Sequence, residues 1–165
     1  MSEQAIQIRQ INREARAETE SAARLMSETE PWITLGRKFE NTLATVTNPH
    51  FEVYIATLGE EVVGVIILAI NVPLIRGYVG GLAVHKDHRN RGVGTKLMRF
   101  AEERILRDSP NVFLCVSSFN PDAKRFYERL GFKEVGELKD FILAGHSEIL
   151  MRKTTGPISM FKPSK

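Results

Sequence analysis

The apolar positions of this 165-residue chain recur with two periods, which together predict an α/β protein. Strands are predicted where apolar residues alternate with polar ones or run together, at residues 6–11, 51–56, 62–68, 78–84, 112–117, 132–138 and 147–153. Helices are predicted where apolar residues recur at helical spacing, at about residues 13–27, 35–46, 93–107 and 121–130. We expect Asn12 to cap a weakly anchored first helix and Thr34 to cap the second.

The order of these elements predicts the sheet. Gly59 and Glu60 form a turn between two strands, which makes the clearest hairpin of the chain. A strand-helix-strand unit lies at the centre, with antiparallel pairs on both sides. We therefore expect a mixed, largely antiparallel central sheet with helices on both faces. One domain is predicted over residues 1–153, followed by a loose tail over residues 154–165.

Composition narrows the class of protein. The chain is 42% hydrophobic and 26% charged, and its net charge is only +3, so charge alone does not indicate a nucleic-acid partner. Cys115 is the one cysteine and lies in an apolar run, which predicts a buried thiol and a reducing, cytoplasmic compartment. The first five residues show no leader pattern, and no run approaches 18 apolar residues, so we expect no membrane span.

The most informative segment is a glycine-rich turn between a predicted strand and a helix, Arg89-Asn90-Arg91-Gly92-Val93-Gly94-Thr95-Lys96. Such a turn combines free backbone N–H groups with the positive end of a helix dipole, which suits a phosphate group. A P-loop would need the order Gly-Lys-Ser/Thr, but here Thr95 precedes Lys96, and a dinucleotide fingerprint would need glycine in place of Leu97. The alternative is a basic surface loop whose glycines serve a tight turn.

Two motifs flank this turn in a recognisable order. The strand end Leu82-Ala83-Val84 leads through residues 85–88 to Arg-x-x-Gly-x-Gly, with Lys86 where proline is common. Farther on, residues 120–132 follow the pattern N-x-x-A-x-x-F-Y-x-x-x-G-F. Together these segments resemble the GNAT superfamily of acyl-CoA N-acyltransferases, most strongly between Tyr78 and Met151. The resemblance therefore implies a GNAT-like fold, in which the two central strands splay apart.

The resemblance implies a binding site for acetyl-CoA as cosubstrate. Backbone groups of Leu82 and Val84, which flank Ala83, would pair with the pantetheine arm. The pyrophosphate would be held by Thr95 and by the backbone amides of Arg89, Asn90, Arg91, Gly92, Val93 and Gly94. Asn120 would meet the pantetheine amides, and Tyr127 would donate a proton near the thioester sulfur.

The same residues allow a purely structural interpretation. Asn120 is a good N-cap before Pro121. Tyr127 shares a helical face with Ala123 and Phe126, so it could belong to the core. The two interpretations are compatible for Asn120 and compete for Tyr127.

The chain departs from its relatives at the general base. Many of them carry a Glu in the strand before the loop, but residues 78–82 contain no acid. Four residues near the expected acceptor side are candidates, although each is otherwise explained as a solvated surface residue: Glu28, Glu30, Glu52 and His146. His85 and His88 lie in a loop with no third ligand evident, so we expect no metal site.

Trp32 and Phe141 are candidates for the acceptor side. In the family that side is built from the N-terminal helical region and from the loop between the last two strands, here residues 139–146. Trp32 would serve there as a wall of the pocket or, alternatively, as a core anchor.

The sequence therefore predicts an acetyl-CoA-dependent N-acetyltransferase in which a primary amine of a small molecule or peptide attacks the thioester directly. Two alternatives stay open. One is a non-catalytic acyl-CoA-binding regulatory module, and the other is a nucleic-acid-binding domain that uses Arg89, Arg91, Lys96 and Arg99. We expect no nucleic-acid or membrane partner, and a homodimer is left open.

Overall fold

A computed structural model describes residues 5–73 and 75–164 of the chain. The strands of this described part are β1 (Gln7–Gln10), β2 (Glu52–Leu58), β3 (Glu61–Ala69), β4 (Tyr78–Val84), β5 (Asn111–Ser117), β6 (Lys133–Lys139) and β7 (Ser147–Thr154). Its α-helices are α1 (Arg16–Ser27), α2 (Phe39–Thr47), α3 (Val93–Ile105) and α4 (Pro121–Arg129). The predicted domain start at residue 1, residues 1–4 of the five that were expected to carry no leader pattern, and the last tail residue, 165, lie outside the described residues.

The hydrogen-bonded strand order is β1-β2-β3-β4-β5-β7-β6. Of the pairings described, β1 with β2, β2 with β3, β5 with β7 and β6 with β7 are antiparallel, and β4 with β5 is parallel. The parallel register covers Tyr78 with Phe113 and Val79 with Leu114. The predicted mixed, largely antiparallel sheet is confirmed, and the shortness of this parallel register agrees with central strands that splay apart.

The chain divides into two compact units. The first unit comprises Met1–Leu68 and Gly81–Ala101, and the second comprises Ala69–Gly80 and Glu102–Lys165. Strand β4 and helix α3 therefore each contribute residues to both units.

In the first unit, helices cover both faces of the sheet, as predicted. Helices α1 and α2 pack with β2 and β3 around one core cluster, Ile11, Ala22, Leu25, Met26, Val46, Val53, Ile55, Val65, Ile67 and Ala83. On the other face α3 lies directly against Gly64, where a Cβ atom would be 2.7 Å from Leu97 Cδ1 and 3.0 Å from Val93 Cγ1. A side chain at Gly64 would push this helix off the sheet.

Several expectations about the first helices were wrong. Helix α1 is well anchored, because Ala22, Ala23, Leu25 and Met26 are buried on it. It begins after Ala15, while the Asn12 side chain accepts a hydrogen bond from the backbone of Glu14. Helix α2 begins after Lys38. The Thr34 hydroxyl donates to the Glu30 carboxylate and caps no helix.

The second unit is built on strands β5 and β7. Their alternate residues Val112, Leu114, Val116 and Met151 are buried. The Nζ atom of Lys153 forms a 2.7 Å ion pair with Glu102, on α3. One expectation needs correction here: Cys115 is half-buried rather than buried. Strand β7 ends at Thr154, and the boundary between domain and tail after residue 153 stays a prediction.

The tail after β7 is partly ordered in the described residues. The backbone amide of Thr155 donates to the carbonyl oxygen of Pro110 at 2.9 Å. Residues Ile158–Met160 form a short 3-10 helix. The tail is therefore less loose than the sequence predicted.

Candidate active site

The glycine-rich turn lies in the first unit, between β4 and α3. The turn leaves the strand at His85, whose amide donates to the Val63 carbonyl at 2.9 Å. Asn90 and Gly92 both adopt left-handed backbone conformations, with φ of 59° and 80°. Residues of this conformation curl successive N–H groups toward a common point, which is the geometry of an anion-binding nest.

Helix α3 begins immediately after this curl. The amide of Lys96 donates to the Gly92 carbonyl at 2.9 Å and begins the hydrogen-bond ladder. The amides of Val93, Gly94 and Thr95 precede that ladder, so they are not used by the helix itself. The positive end of the helix dipole adds to these N–H groups, an arrangement that suits an anion such as phosphate.

A cleft of about 500 Å³ lies beside the loop in the first unit. It is lined by Ala5, Ile6, Leu58, His88, Arg91, Val93 and Lys96. Because Arg91 and Lys96 are cationic, the cleft suits an anionic ligand. Arg89 is engaged differently: its Nε donates to the Val84 carbonyl at 3.3 Å and fastens the loop to the strand end.

The end of β4 presents alternating environments. Ala83 is buried in the core cluster of the first unit, while Leu82 and Val84 are half-buried. The packing of Ala83 therefore fixes the strand segment that carries the backbone groups of Leu82 and Val84. Beside them, Gly81 is covered by Trp32, which packs against the same core cluster. The core-anchor interpretation of Trp32 thus has a structural basis.

The structure brings a third residue to the two loop histidines. Potential ligand atoms of Glu61, His85 and His88 lie within 4.8 Å of one another. The Oε1 atom of Glu61 is 3.4 Å from Nε2 of His88, and the buried Nδ1 of His88 has no hydrogen-bond partner among the described residues. The sequence missed this cluster because Glu61 belongs to β3, and only strand pairing places it beside the loop.

Two predicted site residues lie on α4 of the second unit. The Asn120 side chain accepts a hydrogen bond from the Ala123 amide at 3.3 Å, which confirms the predicted N-cap. Tyr127 packs its ring against Phe126 and Phe132, at centroid distances of 5.3 and 6.1 Å. Burial raises the pKa of its phenol to about 12. Among the described residues, the Tyr127 hydroxyl has no hydrogen-bond partner.

The remaining candidates occupy varied surroundings. Phe141 is 62% exposed. Glu28 is exposed, and Glu30 is exposed and accepts hydrogen bonds from Thr34. The Glu52 carboxylate accepts a hydrogen bond from the Tyr54 hydroxyl. The half-buried His146 ring contacts the Phe119 ring edge-on, at 5.2 Å between centroids.

One acidic residue escaped the sequence analysis. Glu148 on β7 is only 5% exposed, and Ser117 Oγ donates to its carboxylate at 2.6 Å. Burial raises the pKa of this carboxyl. The sequence carried one signal for it. Glu148 lies inside the predicted strand 147–153, on the opposite face from its neighbours Ser147 and Ile149, so strand alternation alone placed it on a separate face of the sheet.

The chain is similar in sequence and in fold to known proteins. A family model described as the acetyltransferase (GNAT) family matches residues 9–132. This chain belongs to the GNAT acetyltransferase family. Among its GNAT relatives, N-alpha-acetyltransferase 30 of Xenopus laevis is 33% identical over 96 residues, which make up 56% of this chain and 35% of that protein.

A bacterial relative and a solved structure extend the comparison. The S-(2-succino)cysteine N-acetyltransferase of Bacillus subtilis is 35% identical over 79 residues, 46% of this chain and 47% of that protein. The chain therefore spans less than half the length of these two curated relatives. The crystal structure of an aminoglycoside 6'-N-acetyltransferase complexed with coenzyme A is 20% identical with a TM-score of 0.74, covering 96% of this chain and 99% of that one. This last likeness establishes the GNAT fold.

Among the described residues, no helix combines the length and apolar character needed to cross a membrane.

Proposed function

We propose that this GNAT protein transfers the acetyl group of acetyl-CoA to a primary amine. The observation that carries the proposal is the loop of residues 89–95, where a nest and the free amides of a helix N-terminus coincide. A related fold has been solved with coenzyme A, and the pyrophosphate of that molecule has the charge that this loop favours. Arg91 and Lys96 in the adjacent cleft add positive charge for the phosphates.

Asn120 and Tyr127 take their proposed roles from the motif in the sequence. Asn120 would contact the pantetheine amides, and its cap to Ala123 fixes its side chain. Tyr127 would protonate the departing CoA thiolate, and its raised pKa keeps the phenol protonated at neutral pH. Trp32 and Phe141 stay proposals for the acceptor side, each with the surroundings described above.

The acceptor we propose is an α-amine. An α-amine with a pKa near 7.8 is neutral about a tenth of the time at pH 7, whereas a lysine amine near 10.4 is neutral roughly once in 2,500 times. Direct attack on a thioester requires the neutral form. The N-alpha type of acetylation in the name of one relative supports the same class. The lone cysteine suits a reducing compartment, and we place the protein in the cytoplasm on that basis.

The test is an acceptor screen with purified protein and acetyl-CoA. The screen compares peptides that carry a free α-amine with N-terminally blocked lysine peptides and small amines, and it measures both thiol release and the mass of the product. We expect acetylated α-amine peptides and no thiol release without an acceptor. Acetyl-CoA binding without transfer to any amine would support the regulatory module instead. Thermal stabilisation by an oligonucleotide but not by acetyl-CoA would support the nucleic-acid-binding domain.

A further inference from the structure

In the second unit, strands β5 and β7 place a serine and a glutamate opposite each other on one face of the sheet. Ser117 and Glu148 are register partners, and Ser117 Oγ donates to Glu148 Oε1 at 2.6 Å. On the other side of Glu148 stands its register partner on β6, the apolar Leu138. The carboxylate is therefore held in a fixed position between three strands and is almost fully buried.

This buried carboxylate has no cation beside it. Within the described residues, Ser117 is its one hydrogen-bond partner and no Lys, Arg or His lies within ion-pair distance. The nearest charged side chain on the same face of β7 is the exposed Arg152, which stands opposite Phe113 four residue pairs away. Removing a carboxylate from water without a counter-ion is unfavourable, and buried ionisable groups of this kind cluster at functional sites.

Two titratable side chains that interact with Glu148, Tyr78 and Cys115, are uncharged at neutral pH. Burial raises the pKa of the Tyr78 phenol and of the Cys115 thiol. Cys115 shares the face of Ser117 because the two are separated by one residue on β5. Just beyond the strand ends, the half-buried His146 ring rests against Phe119. Tyr78 and Cys115 thus place no charge beside Glu148, and its carboxylate is the group that would attract a cation.

We propose that Glu148 binds the ammonium group of the acceptor amine and takes its proton. This inference rests on the proposed acetyltransferase function and names the residue that the sequence left unassigned. The acceptor R–NH₃⁺ gives one proton to the carboxylate and becomes R–NH₂. The nitrogen lone pair then forms a C–N bond to the thioester carbon, and the C–S bond breaks with its electron pair on sulfur. The nitrogen then loses a second proton, the CoA thiolate gains one to become the thiol, and Glu148 releases its own proton to water.

Ser117 is a positioning residue in this scheme. Its hydroxyl occupies Oε1, which leaves Oε2 to meet the ammonium group. The same hydrogen bond favours the charged form of the carboxyl and so limits the rise in its pKa that burial causes. Loss of the serine hydroxyl should therefore raise the pKa of Glu148 further.

The mechanism predicts a distinctive pH dependence. The wild-type enzyme uses the ammonium form of the acceptor with the carboxylate form of Glu148. Its kcat/KM should therefore stay level between the raised pKa of Glu148 and the pKa of the amine, and should fall at lower pH as the carboxyl becomes protonated. An enzyme without this base depends on the neutral amine alone, so its kcat/KM should fall about tenfold per pH unit below about pH 7.8.

The experiment compares Glu148→Gln with the wild type, using the best α-amine peptide from the acceptor screen and saturating acetyl-CoA. Between pH 8.5 and pH 6, kcat/KM of Glu148→Gln should fall roughly fifty-fold, following the neutral fraction of the amine, while the wild type changes only a few-fold. The matched control is Glu137→Gln. Glu137 also accepts a hydrogen bond from a serine, Ser147, but it is exposed, so this variant should keep the wild-type profile.

A second variant, Ser117→Ala, keeps the carboxylate and covers the case in which Glu148→Gln does not fold. The fall of its kcat/KM at low pH should begin at a higher pH than in the wild type, and an unchanged pH profile would overturn the proposal. So would a Glu148→Gln profile parallel to the wild type, which is the result of a merely structural role. If the wild type acetylates no amine at all, the proposed function fails and this inference fails with it. That failure is seen in the wild type, whereas failure of this inference alone is seen only in the pH profiles of the variants.

Discussion

The indole of Trp32 lies against the backbone of β4 at Gly81. A Cβ atom at residue 81 would be 2.8 Å from Cζ2 of the indole and 3.4 Å from Cη2. The glycine at this position is therefore explained by the approach of one side chain from the segment between α1 and α2. Trp32 in turn packs against the core cluster that holds these helices on the sheet.

The first prediction concerns this contact. Gly81→Ala should lower the free energy of unfolding by about 1–3 kcal/mol, because the rigid indole has to move out of a packed position. Urea unfolding measures the effect. In the double variant Gly81→Ala with Trp32→Leu the clash is absent, so its loss should be smaller than the sum of the single losses by about 1–2 kcal/mol. Gly136→Ala on β6 is the matched control, since nothing lies within 4 Å of its Cβ position, and strict additivity of the pair would contradict the contact.

The fold was predictable wherever local pattern and packing agree. Strand β4 was predicted to the residue, because its apolar run is bounded by a glycine and by a polar loop. The caps at Asn12 and Thr34 failed, because their side chains bond to Glu14 and Glu30 instead and the helix starts follow the buried positions of α1 and α2. A capping residue in the sequence is a local signal, and tertiary packing overrides it.

The second prediction concerns the two glycines of the loop. Gly94→Val should weaken acetyl-CoA binding at least tenfold, because a branched side chain beside the free amides of α3 obstructs the approach of the pyrophosphate. Its free energy of unfolding should change by less than about 0.5 kcal/mol, since valine and glycine differ little in a helix. Calorimetry of acetyl-CoA binding on the folded variant measures the affinity.

Gly92→Ala provides the contrast. Gly92 has φ of +80° with open space around its Cβ position, so a substitution there strains the backbone by about 1–2 kcal/mol without adding a clash. Gly92→Ala should therefore lose stability, whereas Gly94→Val should lose affinity. Undiminished acetyl-CoA affinity in Gly94→Val would remove the loop from the proposed site.

The site was predictable only where its residues are close in the sequence. The loop of residues 89–95 is a single segment, so its spacing alone indicated a phosphate-binding turn. Ser117 and Glu148 join two separate strands, and Glu61 and His88 join strand β3 to the loop after β4. Such pairs depend on strand register, which no local pattern carries.

The last prediction concerns Tyr127, whose phenol is expected to protonate the CoA thiolate. The Tyr127→Phe variant keeps the ring contacts with Phe126 and Phe132 and removes an oxygen that has no hydrogen-bond partner among the described residues, so the free energy of unfolding should change by less than about 0.5 kcal/mol. A general acid contributes about 10²–10⁴-fold, but a thiol of pKa near 8.5 leaves readily, so kcat at saturating acetyl-CoA should fall only about tenfold. The KM for acetyl-CoA should change little. Full activity in the folded variant would make Tyr127 a core residue, because packing is the one property that phenylalanine preserves.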